Sequence, residues 1–304
     1  MKIRDLYYLL KPFIPRTVQI NLRRKLVKKQ RQKYENIWPI DNSAKKKPVK
    51  WSGWPKNKKF SFVLTHDVDT KIGHNKCEQL ISLEKSMNVR SSFNFVPERY
   101  PVAPDLRKLL KKNNFEVGVH GLNHDGKLYQ SENIFSDRAE KINKYIADWN
   151  VEGFRSPAMH HNLEWIHNLN VSYDASTFDT DPFEPQSDGI GTIFPFWVNN
   201  KNKNNGYIEL PYTLAQDFTL FILLQEKNIG IWKKKVDWIV ENEGMVLVNT
   251  HPDYMCFSGT PKLEEYQFSL YQELLEYVST KYKDQYWHAL PCEVASYCSG
   301  IFNG

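Results

Sequence analysis

From residue 60 onward, short apolar runs alternate with longer amphipathic stretches, and the alternation predicts most of the chain's elements. Strands are expected at 60–66, 91–96, 115–119, 152–155, 172–177, 207–212, 245–250 and 286–290. Helical patterns fill the gaps at 71–88, 104–113, 132–149, 162–168, 229–242, 263–282 and 291–298. This order implies parallel strands joined by crossover helices, in either an α/β barrel or an open sheet. One stretch fits neither period. Residues 178–206 are rich in Asp, Pro, Gly and Asn, and loops of that length inside compact domains are usually functional.

The polar residues follow the same plan. His66, Asp67 and Asp69 end the first strand, His120 and His124 follow the third, and Arg155 ends the fourth. Asp179 and Asp181 follow the fifth strand, and His251 follows the seventh. In a barrel, chemistry collects where strands end and loops begin.

At 304 residues with 41% apolar content, the chain suits one catalytic domain, 51–304, behind a small extension, 1–50. Its four cysteines show neither Cys-x-x-Cys spacing nor the density of a disulfide scaffold, which points to a reducing compartment. The apolar run Leu6 to Leu10 is interrupted by Lys11 and Pro12, too short for a signal-peptide core. Without any apolar run of about 18 residues, a cytoplasmic protein is expected, unless it is held on a membrane surface.

Charge changes the picture of the extension. Residues 1–50 carry 15 lysines and arginines against three acids, more than the whole chain's net +6, so the remainder is net acidic. In "TVQINLRRKLVKKQRQKY" the apolar Val18, Leu22 and Leu26 recur every four residues among seven basic ones, the pattern of a basic amphipathic helix. Contact with a membrane or partner and a solvated packing helix both fit it. Nucleic acid fits less well, because no interleaved aromatic platform is present.

Two short stretches carry candidate chemistry. In "FVLTHDVDT", Asp67 and Asp69 lie two apart on a strand and face the same way, so a cation between them would relieve their repulsion. A plain helix cap is the competing explanation. In "HGLNHDG", His120 and His124 are four apart, with Gly121 free to turn sharply after the strand. Two imidazoles and an aspartate from the first strand make a three-ligand metal site with positions open to water and substrate. A second carboxylate could then serve as general base and a histidine opposite as general acid, with Arg155 keeping the base ionised.

These segments resemble the five motifs of the NodB-homology polysaccharide deacetylases, carbohydrate esterase family four, across residues 62–251. "THDVD" resembles the first motif, "HGLNH" the second, "RSPA" the third, "STFDTDPF" the fourth and "VNTH" the fifth. The chain departs from the motifs at Val68, Gly121, Ala158 and Asn249. The resemblance implies a distorted (β/α)7 barrel that hydrolyses acyl groups from saccharides using Zn²⁺ or a similar divalent ion. It makes Asp67 the base and Asp69, His120 and His124 the metal ligands, with the strand expected to overrun or bulge by one residue to bring Asp69 into place. It makes His251 the acid, with Asp179 as its orienting partner in competition with Asp174 and Asp181.

On the substrate side, Pro157, His160 and Trp197 are the expected contacts, although His160 and Trp197 serve equally well as interior packing. His66 and His161 carry the same ambiguity. The Asp-x-Asp variant also resembles relatives acting on a lipid-linked sugar at the cytoplasmic membrane face, so a lipid-linked precursor of a surface polysaccharide is a candidate substrate. A non-catalytic carbohydrate-binding relative and a metal-independent amide hydrolase on the same fold are the alternatives.

Overall fold

The computed structural model describes residues 14–200 and 205–302; the run at Leu6–Leu10 lies outside them. Eight helices follow one another in these residues: α1 Arg16–Lys33, α2 Lys71–Ser86, α3 Pro104–Lys112, α4 Glu132–Trp149, α5 Leu163–Ile166, α6 Gly230–Glu241, α7 Ser269–Lys281 and α8 Pro291–Phe302. The strands are β1 Phe60–Val68, β2 Ser92–Phe95, β3 Glu116–His120, β4 Gly153–Arg155, β5 Tyr173–Asp174, β6 Phe196–Asn199, β7 Gly206–Glu209, β8 Met245–Thr250, β9 Met255–Cys256, β10 Tyr266–Gln267 and β11 Tyr286–His288. Local signals explain several boundaries. Thr70 and Ser131 cap α2 and α4 through their side-chain oxygens, and Pro104 opens α3, where its missing N–H costs nothing.

The main sheet runs β8–β1–β2–β3–β4–β5–β7–β6, and all these pairs are parallel except β6 with β7. β8 pairs with β1 along Ser61–His66 and β2 along Thr65–Val68, so the shared Thr65 and His66 place them on opposite edges; β11 pairs with the beginning of β1, at Phe60–Phe62. The N–H groups of Thr213 and Leu214 donate to the Leu247 carbonyl, so the chain leaving β7 meets β8 and the sheet curls into a distorted (β/α) barrel.

Alternation along β1 decides which residues face the interior. Phe60, Phe62, Leu64 and Val68 belong to the large cluster under the helices, whereas Val63 belongs to the interior cluster with Tyr173, Ala175, Ile208 and Leu247. On β8, Met245 and Leu247 face inward in the same way, which puts Asn249 on the inner face. The interior is packed at one end by Val294, Ala295 and Cys298 of α8.

The strand expected at 60–66 extends to Val68, in unbroken register with β2 from Thr65 to Val68. It overruns and does not bulge. The strand expected at 172–177 shrinks to two residues because side chains replace its ladder: Ser156 N–H donates to Ser176 Oγ, and Thr177 N–H to Glu209 Oε1. The expected loop at 178–206 contains β6, an antiparallel strand that the pattern did not show.

The basic extension packs onto the barrel. Ile20, Val27, Trp38 and Ala44 are buried in the main cluster. Arg24 donates to the carbonyls of Ile222 and Leu263, and Arg16 and Arg31 pair with Glu264 and Glu226.

Candidate active site

His120, the last residue of β3, has its Nδ1 3.1 Å from the Arg155 carbonyl oxygen. A carbonyl can only accept, so Nδ1 carries the proton and Nε2 presents a lone pair to the barrel mouth. The chain then turns through Gly121 at φ 61°, where a Cβ would lie 2.5 Å from the Pro157 ring, and reaches His124, itself in the left-handed region at φ 55°. Such a conformation is costly for a non-glycine residue and is typical of functional sites.

Asp69 stands just beyond β1. Its Oδ1 lies 3.4 Å from His120 Nε2 and 3.1 Å from His124 Nε2, yet this buried oxygen has no partner in hydrogen-bonding geometry. The three ligand atoms lie within 4.8 Å of one another. Two imidazole nitrogens and one carboxylate oxygen converging this closely fit a divalent cation such as zinc. Burial tends to raise the Asp69 pKa, but the imidazoles of His124 and His120 hold it well below the usual range.

A second carboxylate steadies this ligand from behind. Asp253 accepts the Asp69 N–H at 2.9 Å and the Gly73 N–H at 3.2 Å, and it also accepts from the Thr70 hydroxyl. Gly73 leaves room for it: a Cβ there would lie 2.0 Å from Asp253 Oδ2.

Asp67 faces the interior between β2 and β8. Asn94 donates to its Oδ1 at 3.0 Å, Asn249 donates to its Oδ2 at 2.8 Å, and Arg155 Nη1 lies 3.6 Å from Oδ1. Burial works to raise its pKa, but His120, Arg155, His251 and the Asn94 hydrogen bond together keep it below the ordinary carboxylate value. Arg155 is itself fixed, donating from Nε to the Ala175 carbonyl and from Nη1 to Thr65 Oγ1. The departure at Asn249 thus has a physical role, since an apolar side chain there could not hold the Asp67 carboxylate.

His251 follows β8. Its Nδ1 lies 2.7 Å from Asp217 Oδ1, and its backbone N–H donates to Asp217 Oδ2 at 2.8 Å. Asp217 also accepts from Tyr266 Oη at 3.1 Å. Burial alone would lower the His251 pKa, but the charge and hydrogen bond of Asp217, aided by Asp69 and Asp67, push it up to about 10.

These groups form the floor of a cavity of about 660 Å³. Ala158, Phe183, Glu184, Phe218 and Tyr254 contribute walls, and α1 contributes another through Arg16, Leu22, Arg23 and Leu26.

Four expectations are corrected. Asp179 does not orient His251; it is buried in an ion pair with Lys235, and Asp217 holds the histidine instead. Trp197 lies on β6 and packs against the interior cluster, outside the cavity lining. Pro157 and His160 line a small crevice behind His124, with Pro157 wedged against Gly121, and neither lines the main cavity. His66, left open between packing and substrate contact, takes the first of these: it points outward on β1, between Thr250 Oγ1 and Glu84 Oε1 at 2.7 and 2.8 Å. Asp217, Asn94 and Asp253 were not singled out in the sequence. Asp217 precedes the apolar run "FTLFIL", a cap signal, but that run forms a π-helix, Phe218–Leu223, with no matching period.

No family model and no curated protein matches the chain. Several solved structures do. A Mycobacterium smegmatis protein described as a polysaccharide deacetylase aligns at TM-score 0.64 and 15% identity, over 82% of this chain and 93% of that one. The PuuE allantoinase aligns at TM-score 0.64 and 13% identity, over 86% and 98%. A Pseudomonas aeruginosa PAO1 protein, also described as a polysaccharide deacetylase, aligns at TM-score 0.63 and 13% identity, over 86% and 98%. Likeness at this identity is one of fold, and the fold is the distorted barrel of the NodB-homology deacetylases.

Proposed function

We propose that the protein is a metal-dependent deacylase that removes an acyl group, N-acetyl foremost, from a saccharide. The observation that carries the reading is the unpartnered Asp69 Oδ1 facing the Nε2 atoms of His120 and His124, with Asp67 and His251 beside them. A zinc ion held by these three residues would act as a Lewis acid on the acyl oxygen and bring water ionisation near neutral pH.

The remaining chemistry belongs to the chain. Asp67, ionised and gripped by Asn94, Asn249 and Arg155, takes the proton of the attacking water. His251, whose pKa Asp217 raises, gives a proton to the departing sugar nitrogen, and Asp217 keeps its ring aimed and its charge compensated. A carbohydrate-binding protein would need neither the acid nor the base. A cavity of about 660 Å³ suits one or two sugar units.

The reading extends to a lipid-linked saccharide met at the cytoplasmic face of a membrane, with α1 against the surface. It is supported by the exposed apolar side chains of α1 at the cavity rim, Val18, Leu22 and Leu26 at 45%, 54% and 57% exposure, among the exposed Lys25, Lys28 and Lys29. Among the described residues no helix is long and apolar enough to cross a membrane.

The test is metal analysis of purified protein combined with acetate and formate release from soluble and lipid-linked acylaminosugars. Stoichiometric metal and chelator-sensitive release are expected. Release that survives complete metal removal would sink the metal-dependent mechanism.

A further inference from the structure

The helix of the basic extension forms part of the cavity itself. Arg23 lies with its guanidinium 5.0 Å from the centre of the Phe218 ring. Phe218 packs against Tyr254 with ring centres 4.8 Å apart, and Tyr254 packs against His251 at 5.1 Å. An aromatic wall therefore runs from the acid of the proposed reaction to a cation on α1. A guanidinium stacked on a ring keeps its N–H edges available, in the planar fork that matches a phosphate or carboxylate.

Arg23 differs from its basic neighbours on α1. Arg16, Arg24 and Arg31 are tied to Glu264, to backbone carbonyls and to Glu226, so they anchor the helix. Arg23 makes no salt bridge within 4.0 Å among the described residues. Glu184 shares the cavity, but its carboxyl accepts hydrogen bonds from Tyr212 and Gln216, and burial beside Asp181 pushes its pKa up to about 8. Its carboxyl is held by these donors and forms no ion pair with Arg23 within 4.0 Å. Beside Arg23, Leu22 and Leu26 line the same cavity while remaining more than half exposed, giving it an apolar lip.

We propose that Arg23 is a specificity-determining residue that binds an anionic oxygen group of the substrate, phosphate or carboxylate, while Leu22 and Leu26 receive an adjoining apolar portion. The inference rests on the deacylase reading for its substrate, but the contact it describes is a binding event that is measured without turnover. On this account α1 selects anionic, partly apolar acyl-saccharides over neutral polymers.

The probes are octyl phosphate, nonanoate and octyl glucoside, each below its micelle-forming concentration. They are titrated calorimetrically into the full-length protein, loaded with zinc and again after chelation, which separates phosphate on the ion from phosphate on Arg23. At least one anionic probe should bind about tenfold tighter than octyl glucoside in both states, as expected for a charge-assisted hydrogen-bonded pair. The better anion identifies the group that the site takes. Arg23→Gln should erase this preference, whereas Lys28→Gln, an equal loss of charge on the exposed face, should retain it. Leu22→Asn with Leu26→Asn should weaken all three probes. Equal binding of charged and neutral probes by the wild type, or equal losses in Arg23→Gln and Lys28→Gln, would overturn the proposal. Failure of every acylaminosugar to turn over would instead count against the deacylase reading and leave this binding result standing.

Discussion

Asp67 and His251 differ in how each is tuned, and the difference predicts the pH profile. Asp67 sits below the ordinary carboxylate value, so activity should fall on the acid side only at low pH, as the base takes up its proton. His251 must remain protonated to act as acid, so activity should fall as pH rises toward about 10. Asp217→Asn removes the strongest influence opposing burial at His251, and the alkaline limb of kcat/KM should move to lower pH by about one unit or more. An unmoved alkaline limb would mean that another group sets it. At this scale the convergence of Asp67, Asp69, His120, His124 and His251 on one cavity was legible in the sequence, because each sits at or just beyond a strand end. The partner of His251 was not, because Asp217 reaches it from 34 residues away through a π-helix that no apolar period signals.

The elements place these residues by simple alternation. β1 puts Asp67 on the inner face and His66 on the outer, and β8 matches it with Asn249 in and Thr250 out. The junction of β1 with α2 depends on the close approach of Gly73 to Asp253. Gly73→Ala would push that carboxylate away and release the Asp69 N–H, so zinc affinity should drop roughly tenfold or more, as for other lost supports of a metal ligand. Competition with a fluorescent chelator measures it, and an unchanged affinity would show that Asp253 is dispensable. The helix α1 was legible as a helix from Val18, Leu22 and Leu26, but the face it buries carries Ile20 and Val27 instead. Its packing partners are distant in sequence, so the pattern alone could not show that the helix would wall the cavity. Deleting residues 1–50 would strip both this wall and part of the core; Lys25→Glu with Lys28→Glu and Lys29→Glu is the sounder test of membrane contact, and it should abolish salt-sensitive binding to anionic liposomes.

The molecule as a whole buries an unusual set of acids. Burial pushes the pKa of Glu116 up to about 7, of Asp181 to about 7 and of Glu184 to about 8, and Asp179 and Asp253 to about 6 despite the groups that oppose it. Between ordinary carboxyl values and these raised ones, the folded protein holds protons that the unfolded chain releases, so stability should fall as pH rises from about 5 to 8. The raised His251 has the same sign, its contribution disappearing above neutral pH. Thermal melts should show a midpoint lower by roughly several degrees at pH 8 than at pH 5.5, and Glu116→Gln should flatten the slope. A midpoint that rises over this range would contradict the burial account. The barrel itself was legible from strand and helix alternation, because parallel strands covered on both faces read as continuous apolar runs. The buried acids were not, since a carboxylate in a loop such as 178–206 reads as solvated until the fold closes around it.

The central claim is the division of labour between two aspartates on one strand. It is tested most directly by measuring zinc stoichiometry and acyl release together in Asp67→Asn and Asp69→Asn. Asp67→Asn should keep stoichiometric zinc and lose nearly all turnover, whereas Asp69→Asn should lose zinc first and regain part of its activity with excess metal. Full zinc and full activity in both variants would contradict the account.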